Sequence, residues 1–475
     1  MKFTPAQQTI ISHPIQPHEV VKVHAFAGTG KTSTLIYFSQ ARLKMRFLYV
    51  AFNKSVQLEA AGKFPSHVIC KTAHSLAWRG FGSRFKHKLE FGLKANTVMD
   101  ALELEEYEAA KFTLETLHRF LVSADPTLYS AHVPPLARLH YPPENMPDFV
   151  SSARTLWAKM TNELDKSVPM IHDGYLKMYQ LSKPRLNFDC ILLDEAQDIS
   201  PVIADIVLSQ GCVTILVGDP HQAIYGWRGA QDTMQKVDAT TTLYLAHSFR
   251  FGKNVASLAN KILHTFKGEK EQLFGLNGSG KLGRVKGQYT ILARTNGALF
   301  SEAAELIKNY KLGFIGGIHS YQFGLLVDTY HLFNNQHEKI QDSYIRGFPN
   351  YPQLKKFAEE VEDFELMSRC RIVDKFEQSI PSLVNEIIDK AVDPKHAQIC
   401  LSTAHKSKGL EFDKVKLSND FTKLLEDEKL ISTDKTNSEE FNLVYVAVTR
   451  VRESLEINDR LKVFIDWLDS QPGNN

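Results

Sequence analysis

The sequence predicts an α/β protein built as two parallel-sheet domains, each with a mainly helical insertion. Two patterns carry that expectation. Short apolar runs alternate with segments of helical spacing, which implies parallel strands with helices on both faces. Twice this alternation gives way to a longer, mainly helical stretch, at about 85–165 and 335–395.

Taken in order, VVKVHAF (20–26) is a strand ending in a glycine-containing turn, and KTSTLIYFSQARL (31–43) follows with helical spacing. RFLYVAF (46–52) and HVIC (67–70) read as two further buried strands. EEYEAAKFTLETLHRFL (105–121) is the clearest amphipathic run of the first insertion. Strands resume with CILLDE (190–195) and CVTILVGD (212–219). The second block offers YTILAR (289–294), KLGFIGG (311–317), AQICLSTAH (397–405) and KVKLS (414–418). EEFNLVYVAVTRVRESL (439–455) is predicted as one closing helix. The expected division is 1–84 with 166–245 as the first domain and 246–334 with 396–470 as the second, before a tail at 471–475.

Composition excludes more than it selects. The 475 residues carry 56 Lys plus Arg against 54 Asp plus Glu, so net charge (+2) points to no partner class. The five cysteines are scattered, with no CxxC pair, which argues against a disulfide framework and a zinc site. The opening MKFTPAQQTIISHP has no apolar signal-peptide core, and no apolar run is long enough to span a membrane. The expectation is a soluble, non-secreted protein, cytoplasmic or (in a eukaryote) nuclear, with no membrane partner.

The strongest single signal is AFAGTGKT (25–32), which follows a strand and opens a helix. In that context Ala27, Gly28, Thr29, Gly30 and Ser33 would aim backbone N–H groups at phosphate oxygens, aided by the helix N-terminus. Lys31 would reach the β and γ phosphates of ATP, and Thr32 would hold Mg²⁺. Ala25 stands where the usual pattern has its first glycine. In ILLDEAQD (191–198), Asp194 and Glu195 end a strand, where α/β sheets place ligands. Asp194 suits a Mg²⁺ carboxylate, and Glu195 suits the group that polarises the attacking water. A helix-capping acidic loop is the competing reading of DEAQD.

VGDPHQAIYGWRGA (217–230) resembles the third motif of the UvrD/Rep helicases, and further motifs of that family follow in order. FTPAQ (3–7) resembles its adenine-reading Q motif, AFNKS (51–55) its motif Ia and TAHSL (72–76) its motif Ib. SFRFG (248–252) resembles motif IV, with Phe249 in place of the commoner Tyr. STAHKSKGLEF (402–412) resembles motif V and VYVAVTR (444–450) motif VI. HDGYLKMYQLSKP (172–184), LSQGCVTILVGDPHQ (208–222) and IGGIHSYQF (315–323) are similar more narrowly to the helicase part of the F-box DNA helicases. With the Q motif at residue 3, no F-box is expected, and no F-box-dependent ubiquitin-ligase role.

The resemblance implies two RecA-like domains, called 1A and 2A in this family, with ATP between them. The helical stretches would be insertion 1B and a reduced insertion 2B. Gln7 would read adenine, Phe249 would line the nucleotide and Glu411 would contact the ribose. Gln222, Arg250 and Arg450 would sense the γ-phosphate. Tyr225 and Trp227, two apart in a glycine-rich stretch, suit a stacking platform for single-stranded DNA. Phe52 and Asn53 would join it by motif position, although Phe52 fits a core position equally well. Thr72, His74 and His405 would touch the phosphate backbone, with satisfied structural histidines as the alternative for the last two. The implied activity is ATP-driven 3′-to-5′ movement on single-stranded DNA, acting on tailed or forked duplexes in repair or recombination control. A translocase that strips proteins with little unwinding, and a non-catalytic DNA-binding subunit, are the competing readings. Intact Lys31, Thr32, Asp194, Glu195, Gln222, Arg250 and Arg450 speak against the last.

Overall fold

The computed structural model describes residues 3–226, 229, 233–360, 363–427, 429–433 and 437–471. The chain divides into two compact units, one of residues 1–26 and 30–245, the other of residues 246–475 with 27–29.

The first unit is built on six strands: β1 (Val20–Ala25), β2 (Phe47–Ala51), β3 (Val68–Thr72), β4 (Cys190–Leu193), β5 (Val213–Gly218) and β6 (Thr241–Leu245). They run in the order β3-β2-β4-β5-β1-β6, every neighbouring pair parallel. All residues of β2, β4 and β5 are buried, as a sheet covered on both faces requires. The alternating and partly exposed TTLYL of β6 lies at the sheet edge. An edge strand of this kind has no continuous apolar run, so the sequence gives no sign of it.

Helices Ala95–Leu102, Tyr107–Val122 and Phe149–Thr161 gather Val98, Leu117, Phe120, Leu156 and Met160 into one core with Ala77 and Tyr175. Two buried lysines tie this helical region together. Lys88 donates to the carbonyls of Lys159 (3.1 Å), Asn162 (2.9 Å) and Asp165 (2.6 Å). Lys177 donates to those of Ser123 (2.9 Å) and Asp125 (2.6 Å), and burial pushes its ammonium down to about 8.

The second unit holds another parallel sheet: β7 (Lys281–Leu282), β8 (Tyr289–Ala293), β9 (Leu312–Phe314), β10 (Ile399–Thr403), β11 (Phe412–Leu417) and β12 (Val451–Glu456). The order is β7-β12-β11-β8-β10-β9. Here the structure corrects the predicted closing helix, which stops at Val448. Residues 451–456 form β12, with Val451 opposite Phe412 and Leu455 opposite Val415. Apolar residues four apart share a face in a helix and in a strand alike, and pairing with β11 decides between them. Helices Tyr351–Glu360, Phe364–Phe376 and Ile380–Lys390 place Leu354, Leu366, Val373 and Ile387 in the same core as Ile291, Ala293 and Leu401 of the sheet.

A buried ion pair joins β8 to the helix Ser438–Val448. Arg294 donates through Nε to both Glu440 oxygens (3.0 Å each) and through Nη2 to Oε1 (2.7 Å). Glu440 is buried and Arg294 nearly so, their side chains 5% and 12% exposed. The backbone N–H groups of Arg294 and Thr295 donate to Asp420. Glu440→Ala should therefore cost about 3–5 kcal/mol by leaving a guanidinium buried without its carboxylate. Chemical denaturation is the check, with Glu386→Ala, which breaks the exposed Lys390–Glu386 pair, as a near-neutral control. Equal midpoints for the two variants would remove the pair from the stability of this unit.

Candidate nucleotide and nucleic-acid site

The loop after β1 enters the helix Lys31–Gln40 through Gly30, whose φ of 79° and ψ of 36° lie in the left-handed region that favours glycine. No side chain caps this helix start, so its N-terminal turn and dipole face an approaching anion. Lys31 Nζ lies 3.4 Å from Glu195 Oε1. Thr32 Oγ1 donates to Asp194 Oδ2 at 3.0 Å, and Tyr49 Oη donates to the same oxygen at 2.7 Å. Asp194 is 3% exposed. Burial and neighbouring Glu195 push its carboxyl up, while Lys31 and the Tyr49 hydroxyl pull it down.

An uncapped helix start, an ammonium, and a hydroxyl beside a carboxylate form a donor set that fits a nucleotide polyphosphate and an oxygen-preferring cation. Glu195 takes a left-handed backbone (φ 50°, ψ 44°), rare for a residue with a side chain. That turn sets its carboxylate beside Lys31 while Asp194 stays in line with β4.

A hydrogen-bond relay leads from Glu195 to the β5 loop. Gln197 Nε2 donates to Glu195 Oε2 (2.6 Å), and Gln197 Oε1 accepts the Asp219 N–H (3.1 Å). Gln222 Nε2 donates to Asp219 Oδ2 (2.7 Å). A Cβ at Gly218 would lie 2.4 Å from Gln197 Oε1, so only glycine lets the two loops approach this closely. Gln7 is buried against the helix that starts at Lys31, donating to Thr34 Oγ1 at 3.3 Å.

Of the expected DNA contacts, Phe52 and Tyr225 come together, stacked at 5.9 Å with planes 12° apart, and Phe52 is 38% exposed. Trp227 lies outside the described residues. Asn53 caps the helix Lys54–Lys63, its Oδ1 accepting the Val56 N–H. Thr72 likewise caps Ala73–Trp78 and is nearly buried. His74 pairs with Asp173 at 3.2 Å, still partly exposed. In the second unit Arg250 donates through Nε to Glu411 Oε2 (2.9 Å) and through Nη1 to the Thr449 carbonyl (3.0 Å). Arg450 is 1% exposed and donates to the carbonyls of Val446 (3.0 Å) and Leu410 (3.3 Å). Phe249 is exposed, and His405 lies on the short helix Ala404–Ser407 that follows β10.

Sequence reasoning missed Tyr49, Gln197 and Asp219. Tyr49 looked like core because it sits inside an apolar strand, and only the fold reveals that its hydroxyl meets Asp194. A hydroxyl-bearing residue in an otherwise hydrocarbon strand was the available signal.

The class defined by this fold and site is that of the phosphate-loop nucleotide-binding α/β proteins. Within it, residues 162–240 match the UvrD/REP helicase N-terminal domain and residues 331–459 the UvrD-like helicase C-terminal domain. F-box DNA helicase 1 of Gallus gallus is 37% identical over 97% of this chain and 49% of its own length. F-box DNA helicase protein 1 of Schizosaccharomyces pombe is 32% identical over 97% of this chain and 58% of its own. A mitochondrial ATP-dependent DNA helicase of Saccharomyces cerevisiae is 25% identical over 57% of this chain and 42% of its own. The chain belongs to the UvrD/Rep helicase family. It spans about half the length of the first two relatives.

Tyr49→Phe should leave the fold intact but free one lone pair of a fully buried carboxylate. Loss of such a supporting hydrogen bond costs about 10–100-fold in metal affinity or activity. The Mg²⁺ concentration giving half-maximal ATP hydrolysis should rise accordingly, and an unchanged Mg²⁺ titration would exclude this role for Tyr49.

Proposed function

We propose that the chain is an ATP-dependent DNA helicase that moves 3′-to-5′ along single-stranded DNA and serves DNA repair or recombination control. The observation that carries this reading is the joining of Lys31, Thr32, Asp194 and Glu195 at the uncapped helix start. Family membership and the printed names of the relatives support DNA as the substrate; polarity rests on the family resemblance. Bound ATP and Mg²⁺ would supply the γ-phosphoryl group and the charge that neutralises it. Lys31 would then exchange Glu195 for phosphate oxygens, and Thr32 and Asp194 would hold the cation. The freed Glu195 carboxylate would orient the water that attacks the γ-phosphorus as ADP leaves, and would take its proton, steadied by Gln197. Through Asp219 and Gln222, the same relay gives the β5 loop, which leads to Tyr225, a physical link to the reacting end. No helix among the described residues is long and apolar enough to cross a membrane.

The direct test is ATP hydrolysis with and without single-stranded DNA, followed by unwinding of 3′- and 5′-tailed duplexes. Stimulated hydrolysis without strand separation would favour a translocase that displaces bound proteins. Lys31→Ala should abolish turnover, and Glu195→Gln should slow it by about 10²–10⁴ while ATP still binds. Collapse of ATP affinity in Glu195→Gln would instead make that residue part of the binding site.

Phe52→Ala and Tyr225→Ala should each weaken single-strand binding by about 1–3 kcal/mol through lost stacking. The salt dependence should stay unchanged, because no phosphate contact is removed. Fluorescence anisotropy over a salt series measures both, and full affinity in both variants would assign the stacked pair to packing alone.

A further inference from the structure

In the first unit the phosphate loop, the acidic pair and the Asp219–Gln222 turn follow the carboxyl ends of strands. The second unit holds a different site. Where β8 begins and β10 is about to begin, a cavity of about 870 Å³ is lined by Arg284, Lys286, Lys395, Lys416 and the rings of Tyr289 and Tyr310. Four cations there face one carboxylate, Glu456, in a chain whose net charge is only +2. Among the described residues Arg284, Lys286 and Lys395 enter no ion pair, whereas Lys416 lies 3.4 Å from Glu302. Tyr310 is 45% exposed, leaving ring surface open to solvent.

The walls of this cavity are braced. The loop carrying Arg284 and Lys286 is pinned between them by buried Val285, whose N–H donates to Glu456 Oε2 at 2.7 Å. Lys414 Nζ donates to the Lys286 carbonyl (3.0 Å), and Gln288 Nε2 to the Ala397 carbonyl (2.9 Å). The Lys311 N–H, next to Tyr310, donates to Gln398 Oε1 at 2.9 Å. Five chain segments are thus cross-linked so that the cations and tyrosine rings share one concavity. Cations supply phosphate contacts and aromatic faces supply stacking, the combination that binds single strands.

We propose that this cavity is a second nucleic-acid contact, binding nucleotides of a single strand through their phosphates and bases, in addition to the Phe52–Tyr225 platform. It rests on the helicase reading only for the identity of the strand as DNA. The ligand chemistry, a nucleotide unit with its base and phosphate, could come from a strand or from a free mononucleotide.

The experiment compares the parent chain, the triple variant Arg284→Ala/Lys286→Ala/Lys395→Ala, and Tyr310→Ala. Each is titrated with a strand of about 10 nucleotides and with one several times longer, over a salt series. On the long strand the triple variant should lower the salt slope by about 2, the value for three lost single-strand phosphate contacts. Tyr310→Ala should lose long-strand affinity on the order of tenfold with the slope unchanged. Binding of the short strand, and its stimulation of ATP hydrolysis, should stay at parent values in both variants. Displacement of the Tyr310-dependent component by deoxythymidine monophosphate would identify a free nucleotide as the source, and resistance to it would identify a strand.

Unchanged long-strand affinity and slope in the triple variant would overturn the proposal. So would a Tyr310→Ala chain indistinguishable from the parent, or equal displacement by polyglutamate, which would mark a site for acidic protein. A parent chain whose ATP hydrolysis ignores short strands would sink the helicase reading by itself, leaving the long-strand comparison to decide the cavity.

Discussion

Everything in the first unit turns on a carboxylate that is almost completely buried at the end of β4. Asp194 is expensive to ionise there, and its surroundings offset that cost with two hydroxyl donors, a backbone N–H and the nearby Lys31 ammonium. Each partner arrives from a different part of the sheet: Thr32 after β1, Tyr49 from within β2, and the Glu195 N–H from the turn itself. The carboxylate therefore holds three neighbouring chain segments in register. It also stores charge that a cation can exploit, because the low-dielectric setting that penalises a bare carboxylate strengthens its attraction for a metal ion.

Parallel topology explains why these segments meet. With all strands of a sheet pointing one way, every loop that leaves a carboxyl end opens on the same edge. β1, β4 and β5 deliver the phosphate loop, the acidic pair and the Asp219–Gln222 turn, and β2 and β3 deliver Phe52 and Thr72. β8 and β10 deliver Arg294 and His405 in the second unit. The second unit has in addition a cluster of cations around Tyr289 and Tyr310, of which Arg284, Lys286 and Lys395 enter no ion pair among the described residues.

Legibility in the sequence followed the kind of signal. The strand–glycine–helix passage at 20–40 was readable because glycine, lysine and hydroxyl residues at that spacing have few other uses. Strands β2, β4 and β5 were readable because a doubly covered strand is a continuous apolar run. β6 is invisible because an edge strand needs no such run, and β12 reads as helix because Val451 and Leu455 fit both periodicities. Asp194 and Glu195 could be named from position, but Tyr49 and Gln197 could not, since their contacts come from strands and loops far away in the chain. The caps made by Asn53 and Thr72 show the converse. Both residues match motifs tied to DNA, yet each side chain already has a local structural duty that sequence comparison does not display.

The two arginines of the second unit differ in how much freedom the fold leaves them. Arg250 is held by Glu411, a carboxylate that Arg452 also engages at 3.5 Å, and by one carbonyl. A partner shared between two guanidinium groups can release one and keep the other, so Arg250 can turn toward a competing anion at small cost. Arg450 is anchored to the carbonyls of Val446 and Leu410, at the end of its own helix and just before β11. These carbonyls orient the guanidinium, and at 1% exposure its charge is poorly screened by water. A buried guanidinium fixed by backbone carbonyls suits electrostatic preorganisation, whereas a salt-bridged and partly exposed one suits exchange. The same helix end thus holds two arginines in different ways: Arg450 is buried against the carbonyls of Val446 and Leu410, and Arg250 is tied to the Thr449 carbonyl and to a carboxylate that Arg452 shares.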